Sequence, residues 1–199
     1  PIIEDASTDS GTGRWTVIKI PTLSFYEYCQ LLQLDDMPLL PDHLKITDIP
    51  KMENAEVADL MARFEPLVKH FNRYLTIGGF PELALSDDDL YAQRMLREDV
   101  VDKVIKRDVL TLFKVRSPLL MEKLFLYLCM NSTEIFSATT AAKELDNISP
   151  NTIESYVDAL VKSNLIYMAY PIAVGSKSVL KGRPKIYIAD AAIRNAVLM

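Results

Sequence analysis

Residues 136–174 read FSATTAAKELDNISPNTIESYVDALVKSNLIYMAYPIAV, and their punctuation decides the fold. The Ser137 hydroxyl suits the cap of a short helix to about Leu145, accepting from first-turn amides that have no intrahelical partner. Asp146 to Ser149 form a turn. Pro150 then stands at the first position of a second helix, where its fixed φ fits and its missing N–H costs nothing. Ile153, Tyr156, Val157, Leu160 and Val161 recur at helical spacing and predict the inward face. The strand-like run LIYMAYPIAV, the polar basic loop GSKSVLKGRP and the returning run KIYIAD follow over 165–190 and predict a β-hairpin. With a helix opened by Ser117 and Pro118 and running to Met130, the order is helix, helix, helix, hairpin. That is the order of a winged helix-turn-helix domain, expected over 117–199.

Upstream, Leu90, Met95, Val100, Val101, Val104, Ile105, Leu112 and Phe113 predict one long helix from Asp89 to about Phe113, in a linking segment over 81–116. The stretch GGFPELALSDDD (78–89) joins a glycine pair, a proline and an acidic cluster, as a helix stop, a turn and a negatively capped helix start require. Between Asn54 and Ile77 the apolar residues are amphipathic, and Pro66 splits them into two helices that end at Gly78 and Gly79. Residues 35–53 read as a loop. Phe25, Tyr28, Cys29, Leu31 and Leu32 predict a helix capped by Thr22 or Ser24, and TVIKIP (16–21) a short strand stopped at Pro21. The fold class is mainly α, with a small β component (α+β).

Of 199 residues 49% are hydrophobic and 25% charged, the balance of a folded, water-soluble chain. No run approaches the roughly 18 apolar residues of a membrane span, and the opening PIIEDASTDSGTGR lacks the character of a signal peptide. A cytoplasmic protein with no membrane partner is expected. Cys29 and Cys129 lie in apolar helical patterns and read as buried reduced thiols. Two histidines, with no His or Cys set at ligand spacing, predict no metal site. The chain begins at Pro1 and stops within an apolar helical pattern, which suggests a piece of a longer protein.

The net charge of −5 hides two halves. Residues 1–90 carry 7 Lys+Arg against 16 Asp+Glu, and residues 91–199 carry 15 against 11. Between Asp158 and Asp190 no acidic side chain occurs, while Lys162, Lys177, Lys181, Arg183 and Lys185 do. Such a segment attracts phosphates, although a solvated hairpin uses the same residues to stay soluble. The second helix of the pair offers Asn151, Thr152, Glu154, Ser155, Asp158 and Lys162 outside its apolar stripe. Asn and Ser can read base edges and Lys can contact phosphate, but Glu154 and Asp158 place negative charge where a phosphate backbone would pass. The candidate nucleic-acid contacts are therefore Asn151, Lys162, Lys177, Lys181, Arg183 and Lys185. Protein docking remains the other use of such a domain.

No complete catalytic site is expected. The string G-x-x-x-x-G-K-[ST] is absent, and Gly175-Ser176-Lys177-Ser178 lacks the upstream glycine of a phosphate cradle. Carboxylates such as Glu98, Asp99 and Asp102, or Asp87 to Asp89, suit helix surfaces and starts. Neither His43 nor His70 stands in a nucleophile-and-base pattern.

GTGRWTVIKIPTLSFYEY, YLTIGGFPEL, REDVVDKVIKRDVLTLF, SNLIYMAYPI and KGRPKIYIADAAIRNA follow in an order that resembles prokaryotic P-loop ATPases of the AAA superfamily, in which a C-terminal domain of unknown function (number 4143) is appended. The resemblance covers nearly the whole chain. It implies that the Walker A and B motifs lie in an N-terminal ATPase core absent from this sequence, and that residues 1–80 are the end of that core with its helical lid. ATP and magnesium are implied for the parent protein, not for this chain. Gly13-Arg14 matches the pair after the family's phosphate-sensing strand, so Arg14 is the nucleotide-proximal candidate, with loop anchoring as its other role. Gly78, Gly79 and Pro81 match a turn with a structural role, and Asp190 is expected to cap a helix. The implied function is a non-catalytic C-terminal fragment whose winged helix couples nucleotide state to a DNA or protein partner. The alternatives are a free-standing winged-helix DNA-binding regulator and a protein-interaction scaffold.

Overall fold

The computed structural model describes residues 20–34, 38, 44–113, 115–172 and 182–198. Helix α1 (Phe25–Leu31) starts at Ser24, whose hydroxyl accepts the Glu27 amide while the Glu27 carboxylate accepts the Ser24 amide. This reciprocal pair satisfies two of the free donors at the helix start and settles the choice between Thr22 and Ser24. Residues 16–19 of the expected strand lie outside the described residues. The loop expected over 35–53 is a 3-10 helix at its far end, Ile46–Lys51, because the Asp48 carboxylate accepts the Lys45 amide at 3.1 Å and tightens the turn.

Helix α2 (Asn54–Phe64) passes through a 3-10 turn, Glu65–Leu67, into α3 (Val68–Ile77), with Pro66 at the junction as expected. Gly78 stops α3 with φ +82°, a conformation that costs glycine little. The short helix α4 (Pro81–Ala84) and α5 (Asp89–Met95) follow. The helical path continues beyond α5 with π winding over Leu96–Asp102 and Val104–Val109 and ends in α6 (Leu110–Leu112), so the expected long helix is present but wider and underwound along much of its length. Helix α7 (Pro118–Met130) is capped by Ser117, and α8 (Ala138–Glu144) by Ser137. Helix α9 (Pro150–Lys162) leads into the antiparallel strands β1 (Ile166–Ala169) and β2 (Lys185–Ile188), and α10 (Ala191–Leu198) closes the order. The first strand is shorter than the run 165–174, which Pro171 interrupts because it has no N–H for a ladder.

One continuous core runs through these elements, from Tyr28, Ile77 and Leu96 to Phe125, Ile153, Ile186 and Ile193. Helix α10 joins the early and late segments. Asp190 accepts the Ala192 amide at 2.9 Å with Oδ1, as a helix cap, and the Gly79 amide at 2.8 Å with Oδ2. Arg194 Nε donates to the Cys129 carbonyl and Asn195 Nδ2 to the Leu75 carbonyl, both at 3.0 Å. The glycine pair is what admits this carboxylate and the Leu23 backbone. A Cβ on Gly78 would stand 2.7 Å from Asp190 Oδ1, and one on Gly79 would stand 2.3 Å from the Leu23 oxygen. Among the described residues no helix is long and apolar enough to cross a membrane.

Candidate functional site

Three helices and a hairpin meet as the pattern at 117–190 predicts. Asp146 and Asn147 both take positive φ, +64° and +55°, and reverse the chain between α8 and α9. Asx residues accept that conformation more readily than others. Ile153, Tyr156, Val157 and Leu160 of α9 are buried, and the Tyr156 hydroxyl accepts the Ser117 amide at 3.0 Å, which pins α9 to the start of α7. Lys123 reaches from α7 to Asp146 at 2.8 Å across the outside of the turn.

The exposed side of α9 is acidic in balance. Asn151, Glu154, Ser155 and Asp158 face solvent, and Lys162 lies 3.3 Å from Asp158 and 5.9 Å from the centre of the Phe113 ring. The candidate Lys162 is thus already engaged by a carboxylate and an aromatic face, and Asn151 stands one turn before the exposed Glu154.

The hairpin has two chemically distinct faces. Its register pairs Ile166 with Ile188, Tyr167 with Tyr187, Met168 with Ile186 and Ala169 with Lys185. Alternation sends Ile166 and Ile186 into the core and turns Tyr167, Tyr187, Ala169 and Lys185 outward. Residues 133–136 extend the ladder beside β2. The Thr133 amide donates to the Ile186 carbonyl at 2.7 Å, the Ile186 amide to the Glu134 carbonyl at 3.3 Å and the Phe136 amide to the Pro184 carbonyl at 2.8 Å, and Ile135 bridges Lys185. The outer face therefore presents Ile135, Tyr187 with Lys185, and Tyr167 side by side, at 64%, 38% and 47% exposure for Ile135, Tyr187 and Tyr167. Tyr170 and Arg183, just outside the paired strands, are exposed as well. Glu134 and Ile135 line a small cavity with Tyr127, Leu128, Phe136 and Ile186. Burial first, then the Glu144 and Glu134 carboxylates, push the Tyr127 hydroxyl above its usual range.

The structure thus brings Arg183 and Lys185 together on the hairpin and leaves Asn151 and Lys162 on α9. Arg14, Lys177 and Lys181 lie outside the described residues. The outward tyrosine pair did not figure among the sequence candidates, although its signal is the alternation in I-Y-M-A and K-I-Y-I. A second unforeseen feature is Arg73, which donates to Asp89 Oδ1 at 2.9 Å, to the Tyr28 hydroxyl at 2.8 Å, and to the carbonyls of Ala84 and Ser86. It lines an open cleft of about 480 Å³ with Leu31, Leu32, Gln33 and Ser86. Four donated bonds make it a clasp between α1, α3 and the α4–α5 turn. Both cysteines are free and buried, and burial pushes the Cys129 thiol up to about 12. Among the described residues no three His, Cys, Asp or Glu side chains converge as metal ligands.

A family model described as a domain of unknown function, DUF8612, matches residues 68–199, from α3 through the hairpin to the end of the chain. The chain belongs to this DUF8612 family. Two curated relatives carry the names of uncharacterized proteins. One, from Haemophilus influenzae, is 24% identical over 187 residues, which is 92% of this chain and 40% of the relative. The other, from Methanocaldococcus jannaschii, is 25% identical over 153 residues, 74% of this chain and 34% of the relative. The chain thus spans two fifths or less of the length of either relative. No solved structure matches it. The DUF8612 match takes in the helix pair, the tyrosine face and Asp190, and leaves out α1 and α2.

Proposed function

We propose that this DUF8612 chain is a non-catalytic, partner-binding part of a longer ATP-binding protein of the AAA superfamily. In this reading α7, α8, α9 and the hairpin act as a winged helix that couples nucleotide state to a partner, with DNA as the partner class the charges favour. The observation that carries it is the hairpin, whose outward face carries Lys185 with tyrosines beside an exposed Arg183, in a stretch without acidic residues from 159 to 189. The greater length of the two relatives supports placement in a larger protein.

Nucleotide is not assigned to the described residues. Their glycine pair is spent on structure: the Gly79 amide donates to Asp190, the Gly79 carbonyl accepts the Leu23 amide at 2.7 Å, and no phosphate cradle is formed. ATP and magnesium would be held by the rest of the longer protein, with Arg14 as this chain's candidate approach to them.

Within this reading the hairpin, not α9, makes the principal contact. Phosphates are attracted by Arg183, Lys185 and the sequence-adjacent Lys177 and Lys181, and repelled by Glu154 and Asp158. The test is duplex DNA binding at low salt by two charge variants. Changing Lys177, Lys181, Arg183 and Lys185 to Gln should weaken binding at least tenfold, and Glu154→Gln with Asp158→Asn should strengthen it. A hairpin variant that binds as tightly as the native chain overturns this assignment. Absence of DNA binding by the native chain moves the domain to protein docking, the reading that an acidic α9 beside exposed tyrosines also favours.

A further inference from the structure

We infer that the outer face of the β1–β2 hairpin is a stacking platform for single-stranded nucleic acid, seated on Tyr167 and Tyr187 with its phosphates against Lys185 and Arg183. This rests on the reading of the hairpin as the nucleic-acid contact and names the form of the ligand.

Four observations meet here. Tyr167 and Tyr187 are directly opposed across the ladder, and cross-strand neighbours on one face lie within reach of the same planar ligand. Both are substantially exposed although alternate residues on the same strands, Ile166 and Ile186, are fully buried, so the rings are left outside by register and not by loose packing. Lys185 stands two residues from Tyr187 on the same face, next to Ile135, which extends the apolar floor to a third backbone segment. Glu134 is exposed, and alternation from Ile135, which bridges Lys185, sets it on the other side of its segment. The face therefore carries aromatic surface and positive charge with no carboxylate among its paired residues.

An exposed aromatic pair on a sheet, bordered by cations, accepts unstacked bases of any identity, because every base has a π face and the backbone needs only a positive track. A base pair within an intact duplex keeps its faces covered by its neighbours, which is why the ligand is a single strand. DNA and RNA strands share this chemistry, and the two sugars separate the sources.

The experiment measures anisotropy of labelled oligothymidylate and oligouridylate, each about 12 nucleotides long, and of a duplex of the same length, at about 50 mM salt. The expected result is tighter binding to at least one single strand than to the duplex, with the tighter sugar identifying the source. Tyr167→Ala and Tyr187→Ala should each weaken single-strand binding about 5- to 150-fold. Tyr167→Phe and Tyr187→Phe keep the ring and should retain single-strand affinity. Circular dichroism verifies the fold of each variant. If the alanine variants bind single strands as the native chain does, or if the native chain prefers the duplex, the platform is refuted while the charge-based reading of the hairpin stands. If neither form binds, both fall together.

Discussion

Removing the Asp190 carboxylate should loosen the joint between the two ends of the chain. Oδ2 accepts the Gly79 amide at 2.8 Å, Oδ1 accepts the Ala192 amide at 2.9 Å, and the residue is only 7% exposed, so water does not replace it without opening the core. Each buried amide left without an acceptor costs about 1–3 kcal/mol, and the loss of a cap alone typically costs ~1 kcal/mol. Asp190→Ala should therefore destabilise the fold by about 2–5 kcal/mol. In a chain of this length each kcal/mol lowers the Tm by about 2–4 °C, so a fall on the order of 10 °C is expected. Asp190→Asn keeps one carbonyl acceptor but turns an amide group toward the other donor, and should fall between. The assay is thermal and urea unfolding followed by circular dichroism. Gly78→Ala supplies the internal check, because its Cβ would meet Asp190 Oδ1 at 2.7 Å in a backbone with φ +82°. In the Asp190→Ala background that contact is gone, so the double variant should lose less stability than the two single losses added. Strict additivity, or a Tm fall below about 2 °C for Asp190→Ala, would refute the joint.

Other outcomes follow from the same packing. Arg73→Ala should cost about 2–4 kcal/mol in urea unfolding, and Arg73→Lys should recover little, because an ammonium cannot reproduce the fork that serves Asp89, Tyr28 and two carbonyls. The Cys129 thiol, pushed up to about 12 from 9.0 by burial, should resist alkylation in the folded chain and react on unfolding. Because the unfolded chain loses this proton first, the stability it confers is whole below pH 9.0 and is lost as pH rises toward 12, by at most about 1.4 kcal/mol per pH unit. Cys129→Ala should flatten that alkaline decline in urea midpoints. Lys162→Ala should change duplex affinity by less than about threefold if the hairpin carries the contact.

The helix pair was legible because each boundary has a local chemical cause. Ser117, Ser137 and Pro150 open α7, α8 and α9 where the sequence places them, and Gly78 closes α3. The hairpin's existence was legible too, whereas the end of β1 was not, since a continuing apolar run past Ala169 hides the break that Pro171 makes. The two-sided character of the hairpin depends on register, and a shift of one residue would have buried the tyrosines and exposed the isoleucines. Arg73 reaches 45 positions back to Tyr28 and Asp190 reaches 111 positions back to Gly79, and no local pattern announces such reach. Asp190 was readable as a cap, but its second bond to Gly79 depends on α10 packing against α3. The acidic side of α9 was visible in Glu154 and Asp158, and the structure adds that Lys162 folds back toward Asp158 and Phe113.

The salt dependence of duplex DNA binding bears most directly on the proposed role. For the native chain, log affinity should fall linearly with log salt, and the slope should become shallower by about two to four when Lys177, Lys181, Arg183 and Lys185 are changed to Gln, near 0.9 per lost phosphate contact. Equal slopes for the native chain and the hairpin variant would contradict the account and place the polyanion contact elsewhere on the molecule.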